Sequence, residues 1–173
     1  MLSRDDLGDR PPEGLVLCGG LEIEPFGAKE LFVQVRFAKW NEVLALQAPS
    51  ADFKILTALH HWGRGVAHAG LGHTADAEKE RDAFAAARKA VADGTLFNLN
   101  PAATIFDVAA GVLDARIAQA KGDTDAAIAA WRTAVAADSG GGLSGAVVVG
   151  VAAGAAVAAE VSGTAGPARA ADR

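Results

Sequence analysis

The chain has 173 residues, which suits one domain, and 51% of them are hydrophobic, enough to form a substantial core. Alanine and valine supply most of that fraction and tyrosine is absent, so the composition favours close helix packing and predicts an all-α fold. The net charge of −5 has the wrong sign for neutralising phosphates, which argues against nucleic acid as a partner. A single cysteine excludes a disulfide framework, and the polar start predicts no secretory signal, so the cytoplasm is the expected location.

The first part of the sequence divides at Gly27. Residues 1–26 mix charged residues with paired prolines and paired glycines, and they are predicted to be a poorly ordered lead-in. After Gly27, apolar residues recur at helical spacing along two short stretches. Their apolar residues are Leu31, Phe32, Val35 and Phe37, then Trp40, Val43, Leu44 and Leu46.

A longer helix is predicted from Phe53 to Leu71, with Ser50 as the residue that caps its start. Gly65 is placed where a neighbouring helix can approach closely, and Gly72 should help to end the helix. The apolar face of this helix consists of Phe53, Ile55, Leu56, Leu59, Trp62, Val66 and Ala69.

The next helix is predicted over residues 75–91, capped by Thr74. Its buried side would consist of Ala77, Phe84, Ala87 and Val91. Its first half carries carboxylates interleaved with basic residues, a pattern typical of a solvated helix face: Asp76, Glu78, Glu80 and Asp82. A loop follows, and Asn100 and Pro101 are expected to be the cap and the first residue of another helix.

Two antiparallel helices are predicted from Asp107 to Asp138, because two apolar stripes so close in sequence are buried by folding back on each other. Gly122 should take the left-handed conformation that ends the first, and Asp123 or Thr124 should cap the second. The stripes are Ile105, Val108, Ala109, Val112, Leu113, Ile117 and Ala120, then Ala127, Ile128, Trp131, Ala134 and Val135.

Three turn segments can be aligned: Ala38–Val43, Gly72–Ala77 and Gly122–Ala127. The first two begin 34 residues apart and the third begins 50 residues later. With small residues at Ala115, Ala127 and Ala134 around Trp131, this pattern resembles the tetratricopeptide repeat (TPR), whose period is about 34 residues. The resemblance implies that residues 27–138 form antiparallel helical hairpins stacked as a short right-handed superhelix. Arg81 and His61 stand where the family usually has aromatic residues.

The resemblance also implies a function, that of a non-catalytic scaffold that binds a protein or peptide segment on its concave face. No cofactor and no catalytic residue are expected. The first helix of each pair would line the groove, with these candidates: Leu59, Trp62, Val66, Ala69, Ala109, Val112, Arg116 and Gln119. Trp62 and Val66 would alternatively fill the core against Phe37 or Trp40, whereas Arg116 and Gln119 are polar on an otherwise apolar helix.

The alternative function is a small metal-dependent enzyme that uses the histidine cluster His60, His61, His68 and His73. Metal sites favour histidine pairs four residues apart on a helix. The residues four positions after His60 and His61 are Arg64 and Gly65, which are not ligands. Packing or surface histidines are therefore the favoured interpretation.

After Asp138 the sequence becomes rich in Gly, Ala and Val, and residues 139–173 are predicted to be a low-complexity tail, disordered or frame-shifted. Its apolar core, Ala146 to Ala159, is shorter than the roughly 18–20 residues of a membrane helix, so a membrane span is not expected. Without a polar capping helix, the array would expose an apolar end after Trp131, through which the chain is expected to self-associate.

Overall fold

The structure is a computed structural model that describes residues 27–97 and 100–141. Within this part of the chain, 75% of the residues are helical, which confirms the all-α prediction. The helices are α1 (Lys29–Arg36), α2 (Trp40–Ala45), α3 (Lys54–Gly70), α4 (Thr74–Arg88), α5 (Ala102–Lys121) and α6 (Thr124–Gly141). The predictions for residues 1–26 and 142–173 lie outside the described residues.

Two two-residue strands lie between α4 and α5. Strand β1 (Leu96–Phe97) pairs antiparallel with β2 (Asn100–Pro101), so that Leu96 faces Pro101. Phe97 is buried against the hydrophobic core. This short ladder fixes the connection that leads into α5.

The helices pack as consecutive pairs. The most extensive contacts join α3 to α4 and α5 to α6, while α3 also contacts α1 and α2, and α5 contacts α3 and α4. Gly111 of α5 faces Ala134 of α6, and Arg116, nearer the turn, faces Trp131. The two helices therefore run antiparallel. The largest fully buried side chains of the core come from several helices and β1: Trp62, Phe84, Phe97, Phe106, Leu59 and Ile105.

The three aligned turns share one backbone conformation. Ala38, Gly72 and Gly122 are all left-handed, with φ of 53°, 79° and 79°. At each turn the next backbone N–H donates to the carbonyl five residues earlier, as in the Schellman motif: Lys39 to Gln34 (2.9 Å), His73 to His68 (2.8 Å) and Asp123 to Ala118 (3.0 Å). The predicted left-handed conformation of Gly122 is confirmed, and the alignment of the three segments extends to their hydrogen bonds.

Ala38 is the one non-glycine residue with positive φ in the described part of the chain, so its replacement by glycine should stabilise the first turn. A left-handed L-residue costs roughly 1–2 kcal/mol, of which the greater freedom of unfolded glycine cancels part. We expect Ala38→Gly to raise the free energy of unfolding by about 0.5–1 kcal/mol in urea titrations.

The matched control is Ala86→Gly, at an exposed position inside α4, where the same change should destabilise by about 1 kcal/mol. Gly122→Val should also destabilise the fold, because a β-branched residue resists the left-handed φ of 79°. A Cβ there would meet no other atom within 4 Å, so the loss would come from the backbone conformation alone. A lower melting temperature for Ala38→Gly would contradict the assignment of strain to that residue.

The first helices of successive pairs pack in the same register. Leu31 and Gly65 each lie seven residues before the left-handed residue of their turn, and Gly63 and Leu113 each lie nine residues before theirs. The side chain of Leu31 covers Gly63, and a Cβ on Gly65 would lie 2.9 Å from Leu113 Cδ1. Each junction thus sets one leucine against one glycine. In the first junction the leucine belongs to the earlier helix, and in the second it belongs to the later helix. The predicted close approach at Gly65 is confirmed.

A series of ion pairs joins α4 to α5. It fixes the register of the third helix pair on the second, although each exposed pair contributes little alone, typically about 0–1 kcal/mol. The pairs are Glu78–Lys121 (2.6 Å), Arg81–Asp114 (4.0 Å) and Arg88–Asp107 (2.5 Å).

The predicted caps of α3 and α4 are wrong. α3 begins at Lys54, and Ser50 accepts a bond from the Asp52 N–H (3.4 Å) within the preceding turn instead. α4 begins at Thr74 itself, and His73 occupies the cap position without a side-chain cap bond. The His73 N–H donates the Schellman hydrogen bond of the preceding turn, which fixes His73 as the residue before the helix. The helix therefore begins one residue earlier than it would if Thr74 were its cap.

The predicted start of α5 is also shifted, because Asn100 and Pro101 form β2 and the helix begins at Ala102. The capping of α6 is confirmed, since the Ala126 N–H donates to Asp123 Oδ1 at 3.0 Å. α6 extends to Gly141, three residues beyond the predicted end of the repeat domain at Asp138.

Candidate functional site

The six apolar groove candidates lie in the hydrophobic core. All are at most 6% exposed: Leu59, Trp62, Val66, Ala69, Ala109 and Val112. Trp62 packs edge to face on Phe32, with ring centroids 5.9 Å apart, whereas Phe37, one of its two expected partners, is 66% exposed. These six side chains offer a partner almost no surface in this structure, and packing accounts for them.

The two polar candidates, Arg116 and Gln119, are only partly buried, on the side of α5 that faces α6. The Arg116 guanidinium carbon lies 5.7 Å from the centre of the Trp131 ring, within cation–π range. Arg116 Nε and Gln119 Oε1 are buried without a hydrogen-bond partner. Burial lowers the pKa of the Arg116 guanidinium from its usual value. Of the eight groove candidates, these two have polar groups left for recognition.

The four histidines lie in two neighbouring pairs, and the ring centroids of His60 and His61 are 6.2 Å apart. His60 Nε2 lies 3.3 Å from the Leu46 carbonyl oxygen, and His61 Nδ1 lies 2.7 Å from Glu80 Oε2. The rings of His68 and His73 are 6.0 Å apart. Across residues 27–97 and 100–141, no group of three or more His, Cys, Asp and Glu side chains is placed to hold a metal ion.

The prediction for Glu80 is wrong. The sequence pattern predicts that it lies on a solvated face, yet its side chain is 15% exposed. It accepts a 2.6 Å hydrogen bond from Arg64 Nε besides its contact with His61. Arg64 also donates to the carbonyl of Leu44, which connects α2 to this cluster. Because Glu80 follows buried Ala77 by three residues, it lies on the buried side of α4, and this spacing was the signal that would have located it.

The cluster and the histidines near it have shifted pKa values. Burial alone would raise the pKa of Glu80, but the hydrogen bonds from His61 and Arg64 outweigh it and lower the pKa from 4.5. Burial lowers the pKa of His60 and of His68 below 6.5. All three shifts favour the charge states found at neutral pH.

These shifts predict that acid destabilises the fold in two stages. As the pH falls from 7 through 6.5, the unfolded chain gains protons at His60 and His68 before the folded chain does, so stability falls towards their folded pKa values. Glu80 adds a second loss below pH 4.5, as its carboxylate is protonated. Thermal melting at pH 7.5, 6.5 and 5.5 should show the first stage, and His60→Gln should reduce its slope. A melting temperature independent of pH over this range would contradict the assignment.

A concave pocket of about 420 Å³ is enclosed by three parts of the chain, namely the region of α1, the segment that follows α2, and the helix α3. Its volume is in the range of small-molecule sites, about 300–1,000 Å³. Of the candidate site residues, only His60 lines this pocket. Most of the wall is apolar and includes Leu31, Leu46 and Leu56.

No protein-family model matches the sequence, and comparisons with curated proteins and with solved structures find no match. In the described ranges, no helix is both long and apolar enough to cross a membrane.

Proposed function

We propose that this chain is a TPR-like helical repeat that acts as a non-catalytic scaffold and binds a protein or peptide segment. The observation that carries the proposal is the repetition of one turn and one junction along the chain. Three turns have a left-handed residue and the same hydrogen bond at equivalent positions, and two junctions pair a leucine with a glycine in the same register. Structural repeats that contact only their neighbours are typical of extended binding scaffolds.

The order of packing supports the same proposal. Each new first helix contacts both helices of the preceding pair, as α5 contacts α3 and α4. Stacking of this kind gives a rigid frame on which a few accessible side chains can select a partner. On the first helix of the third pair, those side chains are Arg116 and Gln119.

Site-specific cross-linking tests the proposal. A photoreactive phenylalanine at Gln119 of the full chain should capture a protein partner in a lysate of its source. The same residue at Asp125, an exposed position at the start of α6, serves as the control. The partner identified is then purified, and its dissociation constant for the intact chain is measured by calorimetry.

Saturable binding of the purified partner would support the proposal. Equal capture at Gln119 and Asp125, without measurable affinity of the purified protein, would contradict it. Metal analysis separates the alternative, because stoichiometric zinc in the purified chain would favour the metal-dependent enzyme built on the histidines.

A further inference from the structure

Arg116 is distinguished from the other partly buried arginines by having no acidic partner. Four described arginines are partly buried: Arg64, Arg81, Arg88 and Arg116. Glu80 pairs with the first, Asp82 and Asp114 with the second, and Asp107 with the third. Among the described residues, no ion pair or hydrogen bond satisfies Arg116. Within the part of the chain that the structure describes, three of these arginines have a carboxylate partner and Arg116 has none.

The surroundings of this guanidinium hold it in place without neutralising it. The Trp131 ring lies on one side, and no acceptor in residues 27–97 and 100–141 reaches the buried Arg116 Nε. Trp131 Nε1 and Gln119 Oε1 are likewise buried and unbonded. Arg116 as a whole is only partly buried, and its two Nη nitrogens are not among the buried atoms without a partner.

A partly desolvated cation is costly when no anion compensates it. A guanidinium that is held against an aromatic ring has lost much of its side-chain freedom, so less entropy is lost when a ligand binds. Its two terminal nitrogens match the two oxygens of a carboxylate, which they bind in a bidentate manner. A carboxylate is therefore a group that this site fits.

We infer that Arg116, stacked on Trp131 and flanked by Gln119, is a binding site for a carboxylate group supplied by the partner. The inference rests on the proposed scaffold function and adds the chemical class of the group recognised. The carboxylate belongs to an acidic side chain or to the carboxyl terminus of a peptide, and the experiment below distinguishes these two sources.

The chain contains three tryptophans, so the indole N–H resonances give an internal reporter of the site. The ¹H–¹⁵N spectrum of the full chain is titrated with three short synthetic peptides. One alternates alanine and glutamate and is blocked at both ends; one is polyalanine with a free carboxyl terminus; one replaces each glutamate of the first by glutamine. The Trp131 resonance should shift saturably with one or both carboxylate peptides and not with the glutamine peptide, while Trp40 and Trp62 stay fixed.

Two variants with the same change of charge decide the result. Arg116→Gln should weaken binding of the active peptide by about tenfold or more, whereas Arg132→Gln, at an exposed arginine next to Trp131, should leave it unchanged. An unchanged Trp62 resonance shows that Arg116→Gln is folded. Arg116→Lys should bind more weakly than the natural chain, because lysine lacks the planar pair of donors.

The inference is overturned if no carboxylate peptide moves the Trp131 resonance, or if Arg132→Gln weakens binding as much as Arg116→Gln. Its failure is separable from that of the scaffold function. A cross-linked partner whose affinity is unaffected by Arg116→Gln leaves the scaffold in place and removes the carboxylate site. Equal capture at Gln119 and Asp125, without measurable affinity of the purified protein, contradicts the scaffold whatever the peptides do.

Discussion

Replacing Gly111 by alanine should lower the melting temperature of the chain by roughly 4–8 °C, which corresponds to a loss of about 2 kcal/mol. A Cβ at Gly111 would lie 2.9 Å from both the Cβ and the backbone nitrogen of Ala134. Backbone atoms cannot rotate away as a side-chain end can, so α5 and α6 would have to separate. This loss should exceed the gain of about 1 kcal/mol that alanine offers over glycine inside a helix.

The control is Gly65→Ala, which places a methyl group at the junction between α3 and α5. There a Cβ would lie 2.9 Å from the Leu113 Cδ1 atom, the movable end of a side chain. The gain in helix propensity should offset most of the cost, and the net change should stay within about 1 kcal/mol. If Gly111→Ala melts at or above the temperature of the natural chain, the close approach of α5 to Ala134 is wrong.

The part of the fold that follows from local sequence was predictable. Gly122 was assigned to a left-handed turn because it ends one apolar stripe just before another begins, and its φ is 79°. Gly65 is predicted to lie where a neighbouring helix can approach closely, and Leu113 lies against it. Both assignments depend on the residue itself and on its immediate neighbours, which a sequence displays directly.

The caps were less predictable, because a helix start depends on the turn before it as well as on the residue type. Ser50, Thr74 and Asn100 all belong to residue types that favour N-cap positions. None of them occupies the cap, since a turn or a short strand determines where the preceding backbone runs. Asp123 does cap its helix, because the Schellman turn at Gly122 leaves it in the cap position.

The candidate site shows the limit of a family pattern. The pattern places Trp62 and Val66 on a first helix facing the groove, yet both are at most 1% exposed. The prediction fails because helical spacing alone does not distinguish a residue that lines a groove from one that fills the core. The polar candidates Arg116 and Gln119 remain accessible because a charged or amide group resists full burial. The burial of Glu80 is not predicted, because its basic neighbours Lys79 and Arg81 suggest a solvated helix face. Its position three residues after Ala77 indicates the buried face instead.

Removing the Glu80 carboxylate should destabilise the chain, because it breaks two polar contacts between α3 and α4 at once. Glu80→Ala removes the acceptor of both Arg64 Nε (2.6 Å) and His61 Nδ1 (2.7 Å), and leaves the partly buried Arg64 unpaired. Breaking a fully buried pair costs about 3–5 kcal/mol. The Arg64 and His61 side chains are 29% and 33% exposed, so solvent should reduce the loss to about 2 kcal/mol in urea titrations at pH 7.

Two comparisons make this prediction specific to the cluster. Asp82→Ala removes a carboxylate from the same helix, but that side chain is 75% exposed and pairs only with its neighbour Arg81, so its effect should stay within about 0.5 kcal/mol. Arg64→Ala combined with Glu80→Ala should cost less than the sum of the single changes, because the double variant leaves no buried charge unpaired. Additive losses, or a Glu80→Ala chain as stable as the Asp82→Ala chain, would mean that Glu80 does not hold α4 to α3. If the cluster does hold them, the Glu80→Ala chain should lose less stability below pH 4.5 than the natural chain does, while the histidine step above it persists.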